Sequence, residues 1–482
     1  PRHRYVTLTR RCRDLAALAR WSLRPTPPPR ACAQQARGAK WPRGAMSEGP
    51  VTKGRRFFKL ASMTAQVAGS YATTRIKSIF QSDEAAEEDR KAAHERNGSR
   101  IARTLGELKG AVMKVGQMAS IASDILPKEL AEALRGLQRE APPVAYEVIA
   151  GQIERELGSP PEQLFRSFDR TPFASASIGQ VHRAVTDDGR EVVVKVQYPG
   201  VDTAVSSDLS QLKLVLKASG LVKVRKQALD EVFREVKARL HEELDYCNEA
   251  DNVRRFREFH RQHSFVCIPD VVGERSAQRV LTLTYEPGDH ISELDARGYP
   301  QATRDLLGQH LFQMLVTQLF ELQSLHADPN PGNLAFRPDG TIVLYDFGCV
   351  KQIPDAILNA YGATIRCGLE EDYVGVEAGL RALGVLNPDG PRVELEYYKA
   401  WRDIFALPFI GDQTFDFATS TIHDDVIKQV PGALKRIESF QPPSDLVFID
   451  RAIAGHYGNL RKVGARGRFL AMLRPYLYAQ PA

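Results

Sequence analysis

At 482 residues the chain is longer than a single core can serve, so two lobes or domains with appendages are expected. Its 43% hydrophobic and 26% charged residues exclude a fibrous or wholly disordered protein. The net charge of +6 is misleading: residues 1–45 hold ten Arg and one Lys against the single acid Asp14, which is +10 of the total, so 46–482 carries −4 and offers no basic groove for nucleic acid.

The tail at 1–45 is interrupted by Pro25, Pro27, Pro28 and Pro29, a composition that buries no core and is expected to be disordered. Its charge balance suits a mitochondrial transit segment, although the prolines break an amphipathic helix. The competing and preferred expectation is a protein that starts at Met46 with a dispensable tail ahead of it. Cys12, Cys32, Cys247, Cys267, Cys349 and Cys367 form no CxxC pair and no metal spacing, which predicts reduced thiols in a cytosolic or matrix-like compartment. No stretch approaches the roughly 18 uncharged apolar residues of a membrane span, so membrane contact is expected to be peripheral at most.

From Arg55 to Phe80 a helical pattern carries aromatic residues among Arg55, Arg56, Lys59, Arg75 and Lys77, suited either to a membrane interface or to packing on the body. An acidic linker follows from Ser82 to Asn97. The helix expected over Ser99 to Ser123 has an apolar stripe at Ile101, Leu105, Leu108, Val112, Val115, Ala119 and Ala122. Lys114 and Gln117 lie off that stripe, near each other. After Pro142 and Pro143 another helix runs through Leu157.

A strand-rich stretch spans Thr171 to Gln197. In it Ala174, Ser175, Ala176 and Ser177 precede a hairpin whose turn is Asp187-Asp188-Gly189, and Lys195 stands among valines in a strand that is largely buried. Such a cation needs a partner charge. A helix around Arg234 to Phe259 supplies candidates, with Asp245 and Glu249 one turn apart and Glu243 just before them. Val280 to Tyr285 reads as a strand, Glu286-Pro287-Gly288 as a turn, and Thr303 to Ser324 as a buried helix.

Leu325-His326-Ala327-Asp328-Pro329-Asn330-Pro331-Gly332-Asn333 then leads through the apolar run Ile342-Val343-Leu344-Tyr345 into Asp346-Phe347-Gly348. An Asp and an Asn five apart in a loop, with a second Asp at a strand end, is the layout by which kinase-like folds hold a general base and two metal ligands around a nucleoside triphosphate. Asp328 takes the place of the base, while Asn333 and Asp346 offer oxygen ligands to magnesium. Beyond them the chain is mostly helical, with 405–417 irregular and no APE-like segment.

Lys114-Val115-Gly116-Gln117, the alanine-rich turn at 174–177, Lys195, Glu243-Leu244-Asp245 and the two loops occur in one order. In this the chain resembles the UbiB/AarF family of atypical kinase-like proteins over about Arg100 to Gly384. The resemblance implies a helix-rich α+β, two-lobed protein-kinase-like fold whose N-terminal helical extension crosses the active-site cleft. The implied segments are a basic tail at 1–45, an amphipathic helix and linker at 46–98, the extension at 99–165, an N-lobe at 166–286 and a C-lobe at 287–482.

The resemblance further implies that Lys195 holds the nucleotide phosphates and pairs with Glu249, that Ala174, Ser175, Ala176, Ser177 and Tyr285 line the nucleotide site, and that Lys114 and Gln117 occlude the cleft against Glu243 and Asp245. The family carries ATP and magnesium and is associated with ATP hydrolysis and with ubiquinone or other isoprenoid-lipid biosynthesis at a membrane surface. Ser175 stands where the family more often has Ala. The implied partners are ATP and an isoprenoid lipid or quinone-biosynthesis enzymes, not nucleic acid. The implied place is cytoplasmic and peripheral at an inner membrane, or mitochondrial if 1–45 is a transit segment. Two other functions fit the loops: a small-molecule phosphotransferase of the aminoglycoside or choline kinase type, and a nucleotide-gated pseudokinase that binds lipid or protein.

Overall fold

The computed structural model describes residues 144–201 except 176–177, then 244–411 and 413–478, with isolated positions at 66, 70, 210, 213, 234 and 237. All of them lie in one compact unit, Gly49–Ala482. The expected element at 55–80, apart from positions 66 and 70, and that at 99–123, with Lys114 and Gln117, fall outside the described residues, as do Ala176, Ser177 and Glu243.

Helix α1 (Tyr146–Leu157) ends at Gly158, whose φ of 82° is the left-handed conformation that glycine reaches without a Cβ penalty. A short helix α2 (Pro161–Leu164) leads to five antiparallel strands: β1 (Ser167–Phe168), β2 (Ala174–Ser175), β3 (Gly179–Val185), β4 (Glu191–Gln197) and β6 (Val280–Thr284), with β5 (Val266–Cys267) lying in another sheet. Their order is β1-β3-β4-β6, and β2 also pairs with β3. The expected hairpin is β3 and β4, which run in register from Gly179 opposite Gln197 to Val185 opposite Glu191.

Alternation on β4 sends Val192, Val194 and Val196 into the core, where Ile149 and Ile153 of α1 meet them with no exposed surface. Lys195 therefore projects from the opposite face. Helix α1, at the end of the 99–165 extension, packs against β4. This helix is fastened to the sheet by Glu156 with Arg279 at 3.0 Å, and the segment leading into it by Val144 N donating to Gln180 Oε1 at 3.0 Å.

Helix α3 (Tyr246–His260) follows. Asp245 lies just outside it as its N-cap, accepting from the backbone of Cys247 and Asn248. The two carboxylates read from sequence as a repelling helical pair thus have separate tasks, because capping turns Asp245 onto the backbone.

The helical part is built around α4 (Gln301–Phe320), whose Leu307, Leu311, Phe312, Leu315 and Leu319 are buried. The expected helix to Ser324 stops at Phe320, and 324–326 forms β7 (Ser324–His326). Strand β7 is held by β10 (Val350–Gln352), so the two loops of interest are bracketed by one ladder. Between them β8 (Leu334–Phe336) and β9 (Ile342–Leu344) pair antiparallel, with β5 parallel to β9. Helices α5 (Asp355–Leu369), α6 (Tyr373–Ala382), α7 (Leu395–Phe405) and α8 (Ile422–Lys435) follow, with β11 (Phe415–Asp416) between the last two. Next come α9 (Ser444–Val463), β12 (Arg466–Gly467) and α10 (Phe469–Tyr478). Helix α9 packs on α4, where Gly308 leaves room for Ala465.

Candidate functional site

The structure brings Lys195, Glu249 and Asp346 together. Lys195 Nζ donates to both carboxylate oxygens of Glu249, at 2.8 and 2.9 Å, and lies 3.5 Å from Asp346 Oδ2. Burial alone would depress this lysine, but Asp346 and Glu249 outweigh it and hold the ammonium well above its ordinary value. Glu249, in the first turn of α3, is also favoured by the positive end of that helix.

The face of α3 that carries Glu249 continues through Asn252, Phe256 and His260, at helical spacing. Asn252 Nδ2 donates to the Phe347 carbonyl at 3.1 Å, and the Phe256 ring meets the buried Phe347 ring edge-on at 5.3 Å. His260 lies 3.2 Å from Gln318 Nε2, and Gln318 Oε1 accepts from the His326 backbone N–H at 3.2 Å. His326 Nε2 lies 2.7 Å from the Asp346 carbonyl and 3.1 Å from that of Tyr345, so this nitrogen carries the proton. Helix α3 thereby touches Lys195 and the Asp346-Phe347-Gly348 backbone directly, and reaches the strand leading into the 327–333 loop through Gln318 of α4.

Within that loop Asn330 caps a single turn, Pro331–Asn333. Asn333 Nδ2 donates to the Asp328 carbonyl at 3.2 Å and to Asp328 Oδ2 at 3.0 Å. Tyr345 N–H donates to the Asn333 carbonyl at 2.9 Å, which ties the loop to the strand end. Asp346 has a φ of 55°, an uncommon conformation for a residue with a Cβ, and its Oδ1 accepts from Gly348 N at 3.2 Å.

The other oxygen of Asp328 is engaged from far along the chain. Arg451 Nη2 of α9 lies 3.5 Å from Asp328 Oδ1. Two turns on, Asn459 Nδ2 donates to the Pro329 carbonyl at 2.9 Å. Between them, a Cβ at Gly455 would run into the Pro329 ring. Residues 451, 455 and 459 form one line on α9, and no sequence signal marked them. Asn252 was equally silent. His456, beside them, is buried with neither ring nitrogen bonded, and burial with His326 nearby depresses its pKa to about 3.

Asn333 commits its amide nitrogen to Asp328, which leaves Oδ1 as an oxygen donor, and Asp346 supplies a carboxylate. Two hard oxygen donors fit magnesium, which takes its remaining ligands from water and phosphate. Among the described residues no group of three or more His, Cys, Asp or Glu makes an all-protein metal cage.

Ala174 and Ser175 form β2, opposite Val181 and Gln180. Tyr285 follows β6, its N–H donating to the Glu191 carbonyl at 2.9 Å, with the Arg183 guanidinium 3.9 Å above its ring. Asp245, expected to help hold Lys114, caps α3 through its Oδ1, and Lys114 itself lies outside the described residues.

The ABC1 atypical kinase-like domain matches residues 136–378. ACTIVITY OF BC1 COMPLEX KINASE 7, chloroplastic, of Arabidopsis thaliana is 31% identical, over 83% of this chain and 58% of the relative. The mitochondrial atypical kinase COQ8 of Saccharomyces cerevisiae is 26% identical, over 86% of this chain and 83% of the relative. The structure of Rv3197 with erythromycin from Mycobacterium tuberculosis matches with a TM-score of 0.60 at 30% identity, covering 83% of this chain and 99% of that one. The chain spans 58%, 66% and 64% of three of the curated relatives it matches. Among the described residues no helix is long and apolar enough to cross a membrane. The chain belongs to the ABC1 atypical kinase-like family, the UbiB/AarF group that its motifs resemble.

Proposed function

We propose that the protein is a magnesium-dependent, ATP-binding atypical kinase or ATPase that supports ubiquinone or another isoprenoid-lipid biosynthesis. The observation that carries this reading is Lys195 held by both oxygens of Glu249 with Asp346 at 3.5 Å. A cation set between an oriented carboxylate and a metal-ligand carboxylate is placed to receive nucleotide phosphates. In this reading Asp328 acts on the nucleophile's proton, Asn333 and Asp346 hold magnesium, which neutralises phosphate charge when bound, and 174–177 and Tyr285 border the nucleotide. The two-lobed arrangement with Lys114 and Gln117 crossing the cleft, in reach of Glu243 and Asp245, belongs to the same proposal, as does peripheral contact with an organelle or inner membrane.

The name of the yeast relative, a mitochondrial atypical kinase, supports both the activity and the compartment. The test is phosphate release by the purified protein with ATP and magnesium, with and without anionic liposomes, beside an Asp346→Asn control. Magnesium-dependent release that the control lacks supports the reading, and equal release from both proteins opposes it. A second reading, nucleotide-gated binding with little turnover, is favoured by one observation: both carboxylate oxygens of Asp328 are engaged, by Asn333 and Arg451.

A further inference from the structure

One backbone group decides which way every hydrogen points along His326, Gln318, His260 and His263. His326 stands opposite Val350 in the ladder of β7 and β10, where the Ala327 N–H donates to the Cys349 carbonyl at 2.9 Å. Successive residues of an antiparallel strand point alternately toward and away from the partner, so the His326 N–H faces away from β10. It meets Gln318, which has no exposed surface, and a buried N–H needs an acceptor. Of the amide atoms only the oxygen accepts, at 3.2 Å, and this turns Gln318 Nε2 toward His260. An amide nitrogen only donates, so the His260 Nε2 that it faces at 3.2 Å bears the lone pair. Burial and the neighbouring His263 depress the His260 pKa to about 3, and the ring is neutral. Its hydrogen is therefore on Nδ1, 3.3 Å from His263 Nδ1, which accepts it.

His263 lies just past α3 and is half-buried. Its N–H donates to the His260 carbonyl at 2.8 Å, and its ring rests against those of Phe259 and Phe265. The nearby charges are already matched. Glu258 of α3 and Arg261 are paired with each other, and Cys267 of β5 is turned to Glu286. On α4, His310 stacks on Phe265 with its Nδ1 2.8 Å from the Gly340 carbonyl.

We propose that Gln318 is a positioning residue for the 327–333 loop and that its hold is set by a proton on His263. Each group in the chain donates outward to the next, and a proton on His263 Nδ1 reverses the last step. His260 must then turn a lone pair to His263 and its hydrogen to Gln318. The amide answers by giving its oxygen to His260 and its nitrogen to His326, so the buried His326 N–H loses its acceptor. His326 also holds the Asp346 and Tyr345 carbonyls through Nε2, so release at this one residue loosens both loops of the site.

Hydrogen exchange of the full chain without nucleotide, read by mass spectrometry and corrected for intrinsic rates, tests the chain from about pH 8 to about pH 5, where imidazoles titrate. Protection of 324–333 should fall roughly three- to ten-fold toward acid, the ratio that one hydrogen bond supports, while β3 and β4 serve as the internal reference. His263→Asn keeps an acceptor that takes no proton and should hold the protection constant. Gln318→Glu should do the same, because its carboxyl accepts from His326 and can either accept from His260 or donate to it. Gln318→Leu should show the low protection at every pH. If a Gln318 variant does not fold, the wild type and His263→Asn still decide. Wild-type protection that ignores pH, that falls equally in β3 and β4, or that falls as steeply in His263→Asn would overturn the assignment. With no nucleotide present, that outcome leaves the proposed activity standing.

Discussion

Lys195 and Glu249 stand 54 positions apart and meet through both carboxylate oxygens, with Glu249 almost wholly buried. Breaking one side of a buried pair leaves the other charge uncompensated, at about 3–5 kcal/mol. Glu249→Gln should lose stability in that range, measured from denaturant midpoints, and weaken nucleotide binding. A Gln variant with the wild-type midpoint and nucleotide affinity would count against the pair.

Asp346 and Asp328 should separate cleanly. Asp346→Asn removes the one carboxylate assigned to magnesium and should abolish the thermal shift produced by ATP and magnesium. Asp328→Asn should keep that shift and lose turnover, since a base acts on the nucleophile. Equal loss of the shift in both variants would show that base and ligand are not divided between them, and the pseudokinase reading would gain.

Arg451 reaches Asp328 Oδ1 from α9 at 3.5 Å. Arg451→Ala should lower kcat by up to about 100-fold through misplacement of the loop, with KM for ATP nearly unchanged. Arg451→Lys should recover part of the rate. Steady-state kinetics on the two variants decides, and a rise in KM at constant kcat would assign Arg451 to binding instead.

Stability should fall in mild acid. Burial, with His263 and His326 respectively nearby, depresses His260 and His456 to about 3, against 6.5 for an ordinary imidazole. Between those values the unfolded chain takes up protons that the folded chain refuses. The contribution is therefore complete above pH 6.5 and declines as pH drops below it, by about 1.4 kcal/mol per histidine at pH 5.5. Melting temperatures from pH 7.5 to 5 should show this slope, and His456→Asn should flatten it by one histidine's share.

What the sequence disclosed were the features that chemistry keeps close along the chain. The 328–333 loop and Asp346-Phe347-Gly348 are contiguous, and the β3–β4 hairpin is written in its turn and its valines. For Lys195 the chain itself demanded a carboxylate and left Glu243, Asp245 and Glu249 open; the choice of Glu249 came from the family resemblance. The capping task of Asp245 was not legible because a helix boundary decides whether an acid lies within the helix or caps its backbone. Asn252, Arg451 and Asn459 were invisible because each acts on a backbone carbonyl or carboxylate 95 to 130 positions away, with no motif to mark it.

The line of Arg451, Gly455 and Asn459 along α9 bears on how the chain can be divided. The family match ends at residue 378, so every signature residue seen in this structure lies upstream of the helix that grips the 328–333 loop. A fragment trimmed to that boundary keeps the whole inscription and loses the hand that steadies it. A stop ahead of α9 would remove the contacts to the candidate site from outside the motifs.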